Sequence, residues 1–141
     1  MPLDRWGSLK DHVEKLLCEF LRVDEVNADG DGDYAVTTPE GNQLWLRLHT
    51  DVDPVSAQIF SVLAAEVPCT HELLVELNSI NASAAYVKVM WVEGAIMAET
   101  DIVAESLDLT ELGNALTVVQ ETADRYRGML SSFFSGSESA E

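Results

Sequence analysis

The stretch Ala84–Asp101, "AAYVKVMWVEGAIMAETD", constrains this chain more than any other. Two runs of alternating character flank a Glu-Gly pair, the chemistry of a two-residue hairpin loop. A loop at Glu93 and Gly94 pairs Lys88 with Glu99, Met90 with Met97 and Tyr86 with Asp101. The opposite face then carries Val87, Val89, Trp91, Ile96 and Ala98. A charge pair falls on one face and aliphatics gather on the other, which is what a half-buried antiparallel ribbon requires.

A second hairpin is legible upstream. Strands are expected over Asp33 to Thr38 and Gln43 to His49, joined by "TPEGN". Pro39 and Glu40 suit a type I turn, and Gly41 the left-handed position of a three-residue loop. Val36 then faces Leu44 and Tyr34 faces Leu46 on one side. Asp33 faces Arg47 and Ala35 faces Trp45 on the other. A third strand is expected over Val55 to Ala64, ended by Pro68.

Helical periodicity fills the rest. Leu9, Val13, Leu16, Leu17, Phe20 and Leu21 form one stripe of a helix over Leu9 to Arg22, with Ser8 as its N-cap. Thr70 caps a short helix reaching Asn81. Asp108 and Glu111 form a capping box for the last helix. Its stripe is Leu109, Leu112, Leu116, Val119, Ala123, Tyr126, Leu130 and Phe133, a face for the sheet or a seam for a partner helix. The order α-βββ-α-ββ-α implies an α+β domain: an antiparallel sheet of about five strands with helices packed on one face. A single domain is expected over residues 1–134, with the polar, acidic residues 135–141 as a disordered tail.

Composition excludes several function classes. A net charge of −17 opposes nucleic-acid binding and anionic membrane surfaces, and suits a basic or poorly soluble partner. No apolar run reaches the roughly 18 residues of a membrane span. The N-terminal "MPLDRWGSLK" has no secretory h-region, so the chain reads as cytoplasmic. Cys18 and Cys69 have no CxxC spacing and read as buried, reduced thiols.

Catalytic and metal signatures fail one by one. "HELLV" lacks the second His of a zinc-protease helix, since Val75 stands there. His12, His49 and His71 fall on separate elements, and no nucleophile motif or phosphate loop is present. "NADGDGDY" at Asn27–Tyr34 resembles a calcium loop only in part. Counted from Asn27, position twelve is Thr38; counted from Asp29, position six is Tyr34, where the sharp turn needs glycine. It reads as a bend entering the first hairpin. No cofactor, no metal and no enzymatic activity are expected.

What remains is surface. The sheet face turned from the helices would carry Trp45, Arg47 and His49 from one hairpin and Tyr86, Lys88, Met90 and Met97 from the other. Aromatic, Met and Arg side chains together have the composition of a binding patch. Trp45, Arg47, Tyr86, Lys88, Met90 and Met97 are therefore the candidate peptide-binding residues.

The stretch "LLVELNSINASAAYVKVMWVEGAIMAETDIVAESLD" resembles the YbjN-like family, and within it actinobacterial proteins grouped with type III secretion chaperones as peptide-binding chaperones. The marks are Leu77-Asn78, Asn81 before the strand, the Trp91–Gly94 hairpin and Ala98-Glu99. "DGDYAVTTPEGNQLWLRL" resembles the family's first hairpin. The resemblance spans about residues 9 to 134. It implies a chaperone-like protein holding extended segments of client proteins, commonly as a homodimer. The short helix then offers Leu73, Leu74, Leu77 and Ile80 as a dimer interface. The alternative is a regulatory adaptor that binds one folded partner.

Overall fold

The computed structural model describes residues 2–38 and 42–134, with side chains from Gly7 onward. The elements are α1 (Pro2–Leu21), β1 (Asp33–Thr37), β2 (Gln43–His49), β3 (Ser56–Ala64), α2 (His71–Ser83), β4 (Lys88–Val92), β5 (Ala95–Val103) and α3 (Leu109–Phe134). The strands form one antiparallel sheet in the order β1-β2-β3-β5-β4. Both hairpin registers agree with the expectation at Asp33–Arg47, Ala35–Trp45, Lys88–Glu99 and Met90–Met97. The "TPEGN" turn at 39–41 and the tail at 135–141 lie outside the described residues.

The chain divides into two compact units, and the division falls within β3, β5 and α3. The first comprises Met1–Ile59 and Asp101–Leu116. Its core is Val13 and Leu17 of α1, Tyr34 and Val36 of β1, Leu44 and Leu46 of β2, Ile59 of β3 and Leu112 of α3, all buried. The Tyr34 hydroxyl donates to Glu14 Oε2 at 2.7 Å, tying the core face of β1 to α1. Burial pushes the Tyr34 phenol well above its ordinary range, reinforced by the hydrogen bond to Glu14 and by the charge of Glu14 and Asp11.

One boundary differs from expectation. The first helix begins at Pro2, not after Ser8. Gly7 and Ser8 read as a break, yet mid-helix they cost only about 1 kcal/mol or less each, which the rest of the helix outweighs. The helix ends as a Schellman motif: Arg22 takes φ 59° and Val23 N donates to Cys18 O at 3.1 Å.

The second unit comprises Phe60–Thr100 and Thr117–Glu141. Leu63, Leu73, Leu77, Ile80, Val89, Ile96, Ala98, Val119 and Leu130 are buried in it. Thr70 caps α2, its hydroxyl accepting from Leu73 N at 3.1 Å. Glu93 and Gly94 take φ 49° and 90°, the double positive of a type I′ turn, whose twist matches the strands it joins. The head of α3 belongs to the first unit; there Asp108 Oδ1 accepts from Glu111 N at 2.7 Å and Glu111 Oε1 accepts from Asp108 N at 3.2 Å. The capping box is complete on both sides.

Candidate functional site

In the first unit, parity decides the faces. Tyr34, Val36, Leu44 and Leu46 point into the core, so Asp33, Ala35, Trp45 and Arg47 point the other way. Trp45 and Arg47 are half-buried there. Arg47 grips Asp33 with both ends of its guanidinium: Nε bonds Oδ1, and Nη2 lies 2.8 Å from Oδ2. That hydrogen bond raises the already high Arg47 pKa further, against the opposing cost of burial. Beside them the His49 imidazole N–H donates to Gln58 Oε1 at 2.8 Å. Arg47, Asp33, His49 and Gln58 thus have partners within the chain, and Trp45 is the large apolar side chain beside them.

The edge of β1 has its own pattern. Asp33 N donates to Asp29 Oδ1 at 3.0 Å and Asp33 O accepts from Asp29 N at 2.9 Å, so Asp33 turns its backbone groups away from β2. In an antiparallel ladder these directions alternate, so Ala35 and Thr37 present N–H and C=O groups along the same outer edge. Both residues are exposed. The "NADGDGDY" loop is the bend that precedes this edge. Asp29 Oδ1 also accepts from Asp31 N at 2.8 Å, and Gly32 takes φ 86°, a conformation glycine adopts freely. The carboxylates of Asp29, Asp31 and Asp33 converge within 4.8 Å, but that of Asp33 is already held by Arg47.

In the second unit, Met90 and Met97 form a cross-strand pair, and both are half-exposed. Lys88 Nζ sits 3.7 Å from Glu99 Oε2, with the Glu99 side chain almost wholly buried. On β3, Ser61 Oγ accepts from Arg127 Nη2 of α3 at 2.9 Å, so Ser61 faces the helices. By alternation Val62, which is exposed, and Phe60, which is buried, lie on the opposite face with the methionines. Sequence reading missed both. The run "SAQIFSVLA" is apolar at nearly every step, so alternation gave no sign of which side chains point outward.

Tyr86 does not join this face. It lies before β4 with φ 71°, and Val87 N donates to Ala85 O at 2.8 Å across it. This tight γ-turn interrupts the alternation that would align Tyr86 with Lys88 and Met90, and the expected pairing with Asp101 is absent from the ladder. Tyr86 is 83% exposed and lines a separate cleft with Thr122, Arg125 and Tyr126 of α3.

The short helix also departs from its expected role. Leu73, Leu77 and Ile80 are buried within the chain's own core and cannot serve a partner as well. Of the four residues assigned to a dimer surface only Leu74 is exposed, at 48%, beside Val75 at 54%. Trp91, expected in the core, is half-buried; its indole N–H donates to Val67 O at 2.7 Å.

Residues 7–141 match the model of a family described as T3SS (YopN, CesT) and YbjN peptide-binding chaperone 1, or TY-Chap1. The chain belongs to this family. Solved structures place TY-Chap1 architecture beside that of secretion chaperones. A chain of the ExsC–ExsE complex superposes with a TM-score of 0.67 at 17% identity, over 86% of this chain and 95% of that one. A chain of the HopA1–SchA chaperone–effector complex gives 0.65 at 14%, over 85% and 94%. The Yersinia pestis type III secretion chaperone SycH, solved with a stable fragment of YscM2, gives 0.57 at 17%, over 79% and 97%. At these identities the likeness shows the fold. Among curated proteins none matches. No helix among the described residues is long and apolar enough to cross a membrane.

Proposed function

We propose that this TY-Chap1 protein is a non-enzymatic, cytoplasmic chaperone that holds extended segments of client proteins on the helix-free faces of its sheet. The observation that carries the reading is the half-exposed Met90–Met97 pair, set beside Lys88, which already has a carboxylate partner in Glu99. Apolar, pliable side chains beside neutralised charges favour contact with apolar residues of many sequences over recognition of one. Trp45 offers a second apolar contact on the first unit. The Ala35 and Thr37 edge of β1 supports backbone pairing with an added strand. Arg47 and Lys88, both engaged, would steer a client more than hold it.

The chain is proposed to fold as a single domain and to form a homodimer, with Leu74 and Val75 supporting an apolar contact on α2. Sedimentation at high micromolar concentration tests the dimer; a monomer refutes it.

The deciding experiment for function is a fluorescence-anisotropy panel of unrelated extended peptides. A chaperone binds several of them, and Met90→Asp weakens all alike. Binding of one folded protein with no response to peptides would instead establish the adaptor reading.

A further inference from the structure

A groove of about 700 Å³ opens between the first turn of α2 and the end of α3. Pro68, Met129, Phe133 and Phe134 supply its apolar lining, and Glu72 and Glu76 its acidic side chains. Phe133 is 75% exposed, although it ends the apolar stripe of α3 in which Leu112, Leu116, Val119, Ala123 and Leu130 are buried. Exposure of one aromatic needs no explanation; two phenylalanines, a methionine and a proline lining one concavity have the composition of a binding surface.

Charge selects the occupant. None of the described residues lining the groove is basic, and the last turn of α3 also has no basic residue, so nothing there offsets the negative pole of that helix end. Glu72 and Glu76 add two carboxylates on a chain of net charge −17. An acidic segment would be repelled, and a second copy of this chain would bring the same excess of negative charge. A cationic segment gains at each of these points.

We infer that this groove docks a basic amphipathic segment of a partner protein. An apolar anchor of that segment, a Leu, Met or Phe side chain, enters between Met129, Phe133 and Phe134. Lys or Arg residues one helical turn away meet Glu72 and Glu76. Methionine and phenylalanine walls with an acidic rim accept such helices without demanding one anchor sequence. The groove is built from helices and is independent of the sheet faces proposed above for extended clients.

Anisotropy titration of the full-length protein with a labelled leucine–lysine amphipathic peptide tests the proposal, with leucine–glutamate and serine–lysine peptides as comparisons. The wild-type protein is expected to bind the leucine–lysine peptide alone, more weakly as salt rises. Phe133→Ala, and separately Glu72→Gln with Glu76→Gln, should each weaken it about tenfold while leaving the circular dichroism spectrum unchanged. Unchanged affinity in both variants overturns the proposal, as does equal binding of the serine–lysine peptide, which would mean charge alone. Sedimentation of Phe133→Ala covers the remaining occupant: a wild-type dimer lost in that variant assigns the groove to a second copy and overturns it as well.

Discussion

Asn81 holds the outer edge of β4 at Val89: its Nδ2 donates to Val89 O at 2.9 Å and its Oδ1 accepts from Val89 N at 2.7 Å. One carboxamide thus stands in for a neighbouring strand at the second residue of an edge that would otherwise offer unpaired groups there. Asn81→Ala should lower unfolding free energy by about 1–2 kcal/mol, the scale of hydrogen bonds lost at a site water can partly reach. Asn81→Asp keeps the acceptor but sets a carboxylate against the Val89 carbonyl, and should cost at least as much. Urea denaturation of both variants checks this.

The two strand tryptophans should separate binding from folding. Trp45→Ala is expected to weaken client binding by ~1–2 kcal/mol, as for a modest hot spot, with a smaller loss of stability than Trp91→Ala because no hydrogen bond to the core goes with it among the described residues. Trp91 is half-buried and bonded to Val67 O, so Trp91→Ala should cost ~2–3 kcal/mol of stability, below the ~3–5 of a fully buried aromatic. Thermal melts beside peptide titrations measure both. Unfolding of Trp45→Ala with a harmless Trp91→Ala would mean that the binding face is misassigned.

Tyr34 should shape the alkaline limb of the stability curve. Its folded pKa is raised, so the native state keeps a proton that the unfolded chain releases near pH ~10. The stabilisation is complete below that value and is lost as pH rises above it. Tyr34→Phe should flatten this limb while losing about 1 kcal/mol at neutral pH with the bond to Glu14. Denaturation midpoints followed from pH 8 to 11 would show no difference in slope if the residue has no such role.

Calcium should have no tight site at Asn27–Tyr34. Asp29 Oδ1 already receives Asp31 N and Asp33 N, and the Asp33 carboxylate is paired with Arg47. A cation would have to break that pair, and neither frame of the loop supplies both the glycine at position six and the glutamate at position twelve. Calorimetric titration is expected to show nothing tighter than ~100 µM, the range of weak extracellular modules.

Local rules made much of the fold readable. Glu93-Gly94 admits a type I′ turn, and alternation on each side then leaves one register that keeps aliphatics together; the same holds for Tyr34 and Val36 against Leu44 and Leu46. Asp108 and Glu111 could be paired from spacing alone because a capping box is closed within four residues. The sheet face proposed to bind clients was legible in half. Trp45, Arg47, Lys88, Met90 and Met97 follow from register. Phe60 and Val62 do not, because a strand apolar at nearly every position has no period to read.

Sequence alone determined what depends on near neighbours: the caps at Thr70 and Asp108, the two-residue turn, the hairpin registers and the charge pairs Asp33–Arg47 and Lys88–Glu99. Tertiary structure decided everything that depends on what lies across the chain. It placed Leu73, Leu77 and Ile80 in the core, where a stripe on a helix cannot say whether its cover is the same chain or another. It turned Tyr86 off the sheet through a positive φ that no propensity would assign to tyrosine. It set Asn81 against a strand edge eight residues later. Periodicity reports which side chains share a face; only packing determines what covers that face, because burial depends on residues brought together from distant parts of the sequence.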